Sequence, residues 1–393
     1  MGQVKEAERK DTASTQSGNG QTITSYNPAT GEPIDTVPVM SESDVDDAVA
    51  RSHRVQSEWK DRSLEERAEV IRDFRDVLID RRMEMADLLT QEVGKPTVEA
   101  LTQEVAMSAE LATYYAKNAP EVLSSKRISH RLLKTKRSKI VREPKGVVGV
   151  ITPWNYPLVL TTQSILAALV AGNGVVNKPS EVTPLTSLKL KEYLEDAGLP
   201  EGLFEVVTGE GETGAALVDA DVQHISFTGS VPTGRKIASR CGERLVSSTM
   251  ELGGKDSAIV LDDAPLERAI NGLTWAAFTN AGQICASLER VFADERIFDE
   301  LVDGIVERTQ SLKLGPGTEQ SDVGPMAMAD QRDLVEELVE DARQKGAKIL
   351  TGGKIPDREG NYYEPTIIVD VTDDMRVIEE EAFGPILPIV SVK

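Results

Sequence analysis

Cysteine is scarce in this chain: 393 residues contain two, Cys241 and Cys285. A pair so small excludes a disulfide framework and suits a reducing compartment, so a cytoplasmic location is expected. Histidine is nearly as rare, with His53, His130 and His224. Neither they nor the cysteines stand at ligand spacing, and no metal site is expected. Basic charge is in deficit, with 44 Lys and Arg against 65 Asp and Glu and a net charge of −21. That balance argues against a nucleic-acid partner. It suits a highly soluble protein and is compatible with a high-salt cytoplasm. Met1 to Thr24 lacks an apolar core, so no secretory leader is expected there, and Glu6 breaks the myristoylation pattern that Gly2 opens. No charge occurs between Lys145 and Lys178, but Pro153, Asn155, Pro157, Thr161, Thr162 and Gln163 interrupt that stretch. It reads as a buried strand, a turn and a buried helix, and no membrane partner is expected. There is no GxxxxGK[ST] segment, which disfavours a Walker-type nucleotidase.

What is present is an α/β pattern. Residues 1–20 read as disordered. Residues 43–118 are helical in character: Ser43 with Asp46 caps one helix, and Ser63 with Glu66 caps another that carries Val70, Phe74, Val77 and Leu78 on one face. Gly94-Lys95-Pro96 breaks the pattern. Nine Lys or Arg fall between Lys126 and Lys145, and the segment 122–144 is expected to be a projecting β-hairpin whose basic side chains meet acidic surface elsewhere. From Gly146 short apolar runs alternate with helical ones. Strands are expected at Val147–Thr152, Gly174–Asn177, Phe204–Val207 and His224–Phe227, with helices at Thr162–Ala171, Ser187–Asp196 and Gly214–Ala220. That is the rhythm of a doubly wound parallel sheet. It resumes after Ser257–Leu261 and predicts a second α/β unit. The expected division is 21–121 with 145–250 for a cofactor domain, 122–144 for the hairpin arm and 251–393 for a catalytic domain.

Two turns suit a dinucleotide. Gly209-x-Gly211-x-x-Gly214 follows a strand, and Phe227-Thr228-Gly229-Ser230 follows the next, leading into a helix. A free cysteine such as Cys285 is most often a small buried hydrophobe. A cysteine hydrolase would need a partner histidine, and none sits in a recognisable motif.

Six segments, in order, carry a more specific signal: Pro153-Trp154-Asn155-Tyr156-Pro157, Lys178-Pro179-Ser180-Glu181, Phe227-Thr228-Gly229-Ser230, Glu251-Leu252-Gly253-Gly254-Lys255, Gly282-Gln283-Ile284-Cys285 and Glu381-Ala382-Phe383-Gly384-Pro385. Over roughly residues 20–393 the chain resembles the aldehyde dehydrogenases that use NAD or NADP and a cysteine nucleophile. The resemblance implies a Rossmann-like cofactor domain, a second α/β catalytic domain and a β-hairpin oligomerisation arm. It implies that an aldehyde is oxidised to a carboxylate through a thiohemiacetal and a thioester on Cys285. Asn155 would donate to the oxyanion, together with the Cys285 N–H, and Glu251 would be the general base for hydrolysis. Trp154, Lys178, Glu181, Gly211, Gly229, Ser230, Glu381 and Phe383 would meet the cofactor. Lys178 and Glu181 match the adenosine-ribose pair and Glu381 the nicotinamide-ribose carboxylate. Glu181 repels a 2′-phosphate, so NAD is expected as the preferred cofactor, with NADP admitted by Lys178. Tyr156, Leu160 and Gln163 are expected to share one face of a substrate tunnel for a small or medium aldehyde.

The family continues for about another hundred residues after the EAFGP segment, so the chain is expected to be short at its C-terminus. An exposed apolar surface and an open strand edge should follow, with low stability or weak activity. The family's homodimer or homotetramer is expected only of a complete chain. Two other readings stay open: a CoA-acylating relative, against which Glu251 argues, and a non-catalytic nucleotide-binding fragment.

Overall fold

The computed structural model describes residues 20–393 apart from 131, 133 and 134, together with 16 and 17. The disorder expected of residues 1–20 lies outside the described residues except at Gln16, Ser17 and Gly20, which are in strand. Gly20–Tyr26 pairs antiparallel with Pro33–Pro38, a hairpin that the sequence reading did not anticipate.

The helical region begins at Glu42, one residue ahead of the expected start at 43. Its capping box is Ser41 with Asp44, because Ser41 adopts the extended conformation that lets its hydroxyl accept from the Asp44 N–H. The second box is as expected: Ser63 and Glu66 open Leu64–Asp80, which buries Val70, Phe74 and Leu78. Helix Arg82–Val93 ends at Gly94, whose left-handed φ of 89° terminates it. A Cβ there would lie 2.6 Å from Pro325 and 2.9 Å from Pro28, so the break is also a point of close packing. After Pro96 the chain runs from Thr97 to Val122 as one helical rod with a π-helical stretch at Ala100–Val105.

The first main sheet contains β1 (Val147–Ile151), β2 (Gly174–Lys178), β3 (Phe204–Val206), β4 (His224–Gly229) and β5 (Ser247–Leu252). Its order is β5-β4-β1-β2-β3 and every pairing is parallel. β1 and β2 are buried at every position, and apart from Lys178 at the end of β2 they carry no charge, as strands covered by helices on both faces require. The chain leaves β1 to one side and returns at β4 on the other, so the strand order reverses between them. Ligands of such sheets bind outside the carboxyl ends of the strands at a reversal of this kind.

The second sheet contains β6 (Asp256–Val260), β7 (Leu288–Asp294), β8 (Lys348–Thr351), β9 (Thr366–Val369) and β10 (Ile386–Val392). Its order is β6-β7-β10-β9-β8, parallel except for the last pair. Its core joins Val291, Ile389 and Ile367 to the helices Phe298–Gln310 and Ala329–Gln344. The expected boundary at 250/251 falls inside β5, whose ladder with β4 continues to Leu252. Glu251 therefore belongs to the first sheet, and the crossing is made by Gly253-Gly254-Lys255. β6 is an edge strand, and Ile259, Leu261 and Trp275 beside it are exposed, Ile259 at 73%.

The basic segment does form a hairpin, Lys126–Ile128 against Ser138–Ile140. Among the described residues no ion pair joins it to acidic surface; Arg142 donates to the Ser124 carbonyl and Lys145 to the Ser247 hydroxyl. No helix among the described residues is long and apolar enough to cross a membrane.

Candidate active site

The first sheet presents Lys178, Glu181 and the Gly229-Ser230 turn at its carboxyl edge. Lys178 is the last residue of β2 and is buried, with its ammonium 3.2 Å from the Glu181 carboxylate. Glu181 is partly exposed and lies in the loop before helix Pro184–Asp196. Ser230 is the N-cap of Val231–Arg244, so the unsatisfied N–H groups of that helix face the same edge. Gly211 opens helix Gly211–Asp219 in open space, while Gly214 lies against the Lys178 stem, 3.9 Å from a Cβ built there. A buried cation paired with a carboxylate, beside a helix N-terminus at the point of strand reversal, fits an adenosine ribose and pyrophosphate. Glu251, exposed near the end of β5, pairs in register with Thr228 of this edge.

The second sheet presents the nucleophile loop. Helix Leu266–Phe278 ends in a tight turn over Thr279–Gly282, where Asn280 and Ala281 hold left-handed conformations (φ 49° and 54°). Gly282 follows at φ 72°, and a Cβ there would lie 2.3 Å from the Gly384 carbonyl oxygen. Only glycine lets the loop rest on the Glu381–Pro385 segment. Cys285 is exposed as a residue, while its sulfur is partly enclosed. Burial pushes the thiol above its ordinary 9, the carboxylates of Glu381 and Asp256 push it further, and the N–H groups of Ala286 and Cys285 itself oppose both.

Glu381 packs on the two glycines after Glu251. The Gly254 N–H donates to Glu381 Oε1 at 3.3 Å, and a Cβ on Gly253 would fall 2.2 Å from Oε2. Burial raises the Glu381 carboxyl, against the Gly254 hydrogen bond. Trp154 and Phe383 meet edge to face with centroids 5.5 Å apart. Phe383 sits at φ 47°, a conformation held by Glu289, whose carboxylate accepts the N–H groups of Ala382 and Phe383 at 2.9 and 3.0 Å. Glu289 in turn pairs with Lys255 at 2.6 Å, and burial pulls that ammonium down.

Asn155 joins the two halves. It is 2% exposed, and its Nδ2 donates to the Gln283 carbonyl at 2.9 Å, two residues before Cys285. A primary amide has two donors, so one N–H is left for an oxyanion. Tyr156 is buried, with its ring 3.7 Å from Lys95 Nζ and its hydroxyl donating to Gln103 Oε1 at 2.6 Å. Leu160 is half-buried and Gln163 exposed on helix Val159–Val170. The three expected tunnel residues thus do not share one surface: Tyr156 is turned inward by its bonds to Lys95 and Gln103. It stays within electrostatic reach of Cys285.

Lys95, Glu99, Gln103, Glu104, Asn280 and Glu289 went unnoticed in the sequence. Lys95 was read only as part of a helix break. The one signal available was an acidic pair at Glu99 and Glu104 in an otherwise amphipathic stretch. Among the described residues no group of three or more His, Cys, Asp or Glu is placed to hold a metal ion.

The profile of the aldehyde dehydrogenase family matches residues 15–393. The chain belongs to that family. It is thus an NAD(P)-dependent oxidoreductase of the aldehyde group. The rice mitochondrial succinate-semialdehyde dehydrogenase is 38% identical over 378 residues, 95% of this chain and 71% of the relative. A Mycobacterium ulcerans protein named for succinate-semialdehyde dehydrogenase activity with NADP(+) is 40% identical over 92% of this chain and 70% of its own. Among solved structures, a Bacillus cereus aldehyde dehydrogenase in complex with NAD+ superposes with a TM-score of 0.92 at 35% identity, covering 95% of this chain and 76% of that one. An Escherichia coli NADP-dependent enzyme gives 0.92 at 34%, covering 95% and 78%.

Proposed function

We propose that this aldehyde dehydrogenase works through Cys285 and Asn155, and that water resolves the thioester. The observation that carries the reading is the hydrogen bond from Asn155 to Gln283, which fixes a neutral donor against the loop of the exposed thiol. Cys285 Sγ, once deprotonated, attacks the aldehyde carbon, and the negative oxygen is met by the second N–H of Asn155 and the Cys285 N–H. Lys178, Glu181 and Ser230 would hold the adenosine and pyrophosphate parts of the cofactor, and Glu381, Phe383 and Trp154 the nicotinamide end. A bound nicotinamide would supply the acceptor for the hydride that leaves as the thiohemiacetal becomes a thioester. Glu251 then takes a proton from the water that attacks the thioester, which releases the carboxylate and the thiol. A carboxylate at position 251 supports water over CoA as the acyl acceptor.

Glu181 beside the ribose site supports NAD as the preferred cofactor, while the paired Lys178 keeps NADP usable. The names of the relatives make a short aldehyde with a distal carboxylate the first substrate to try. The Lys126–Ile140 hairpin suits a role as an oligomerisation arm, and the low cysteine content suits a reducing cytoplasm.

The test follows NADH or NADPH at 340 nm with a panel of aldehydes for the wild type, Cys285→Ala and Asn155→Ala. Loss of signal in Cys285→Ala is expected, with a fall of about 10²–10³ in kcat for Asn155→Ala. Turnover that survives in Cys285→Ala would refute the reading.

A further inference from the structure

Glu99, Gln103 and Glu104 lie on or beside the π-helical stretch Ala100–Val105, and all three reach the loops that carry the proposed chemistry. Glu99 accepts from the Thr279 hydroxyl at 2.8 Å and from the Asn280 N–H at 2.9 Å. Gln103 donates to that same hydroxyl at 2.8 Å and accepts from Tyr156. Glu104 accepts the N–H groups of Leu158 and Val159 at 2.9 and 3.1 Å and pairs with Lys95 at 2.5 Å. Lys95, with no exposed surface on its side chain, donates its next hydrogen bond to the Asn155 carbonyl at 2.9 Å. Asn280 Nδ2 donates to that same carbonyl at 3.1 Å and to the Gln283 carbonyl at 3.2 Å.

The π-helical turn makes this possible. In an α-helix a rotation of about 100° per residue would carry Glu104 roughly 140° away from Glu99. The wider turn returns Gln103 and Glu104 to the face of Glu99. Single stretches of this kind are frequent at functional sites. A fully buried ion pair is, moreover, a poor source of stability, because desolvation offsets the attraction. Its use here is geometric: every remaining bond of the pair ends on the backbone of the Asn155 turn.

We propose that Lys95, Glu99 and Glu104 are positioning residues that lock the Asn155 turn and the nucleophile loop together, so that the free Asn155 N–H and Cys285 Sγ address one carbonyl. The proposal rests on the roles given above to Asn155 and Cys285.

The test uses two reagents without cofactor. With 4-nitrophenyl acetate, Cys285 Sγ forms a bond to the acyl carbon and nitrophenolate leaves with the electron pair, a step that needs the oxyanion donors. Alkylation by iodoacetamide needs the thiolate alone. Both rates, with the site confirmed by mass spectrometry, are measured for the wild type, Glu99→Gln, the charge-neutral Lys95→Met/Glu104→Gln and Asn155→Ala, along with melting curves. Acylation is expected to fall 10- to 100-fold in the first two variants, with alkylation within about threefold of wild type. Glu99→Gln should add nothing further in an Asn155→Ala background, because its effect runs through that residue. Acylation close to wild type in both variants overturns the proposal. So does a parallel fall of both rates with loss of cooperative melting, which assigns a scaffold role. Should the wild-type Cys285 fail to be acylated while it still alkylates, the reading of the oxyanion site falls first and the positioning role with it.

Discussion

Cys285 and Asn155 show how little of a residue's chemistry is intrinsic. A solvated thiol would be partly ionised near pH 8 to 9; here partial enclosure and two nearby carboxylates hold the thiol form. The alkylation rate of Cys285 should therefore climb with pH through a half-point above 9. Glu381→Gln should lower that half-point by removing one of the carboxylates. A half-point at or below 8.5 in the wild type would contradict the stated surroundings of the sulfur. Asn155 was marked in the sequence by its motif, but its geometry is set by groups far along the chain, since Lys95, Asn280 and Gln283 fix its carbonyl and amide. Tyr156 shows the reverse case. Next to Asn155 it reads as a pocket wall, yet an inward hydrogen bond and the Lys95 ammonium decide its orientation.

At the scale of elements, two contacts control how segments meet. Gly282→Ala would place a methyl group against the Gly384 carbonyl at a positive φ, and it should destabilise the fold by about 1–3 kcal/mol and depress acylation of Cys285. An unchanged urea midpoint would show that the two loops do not bear on each other. Glu92 ties three elements together. Its carboxyl accepts from Ser25 of the N-terminal hairpin and from Leu185 and Thr186, in the first turn of Pro184–Asp196. Burial raises it from an ordinary 4.5 to about 7, against those hydrogen bonds. Folding thus favours its protonated form. The resulting stability is complete below pH 4.5 and is lost as pH rises through about 7, a swing of roughly 3 kcal/mol. The difference in unfolding free energy between wild type and Glu92→Gln should shrink accordingly between pH 4.5 and 8. Parallel curves would mean that the carboxyl titrates alike folded and unfolded. The capping box at Ser63, the stop at Gly94 and the parallel strands were legible beforehand because each depends on neighbours within a few residues. The π-helical stretch was not, because the groups that Glu99 and Glu104 hold lie far away in sequence.

Over the whole molecule, a net charge of −21 sets the folded state against itself. The compact state concentrates like charge that the unfolded chain spreads out. Raising NaCl from about 0.05 M to 1 M shortens the screening length severalfold and should raise the melting temperature by a few degrees. A melting temperature that stays level or falls would mean that surface ion pairs, such as Arg81 with Glu84, Glu192 and Asp196, outweigh the repulsion. Among the described residues β6 is at the edge of its sheet, and Ile259, Leu261 and Trp275 are exposed.

The sequence by itself determined the reactive groups, the family and the alternation of strands and helices. Those depend on side-chain identity and on periodicity, which are local properties. Tertiary structure alone decided that Lys95 and Glu104 form a buried pair, and that Glu289 holds Phe383 in a strained turn. The physical reason is the same in each case. A buried charge must find its partners wherever the fold supplies them, and those partners stand nine to more than ninety residues away along the chain.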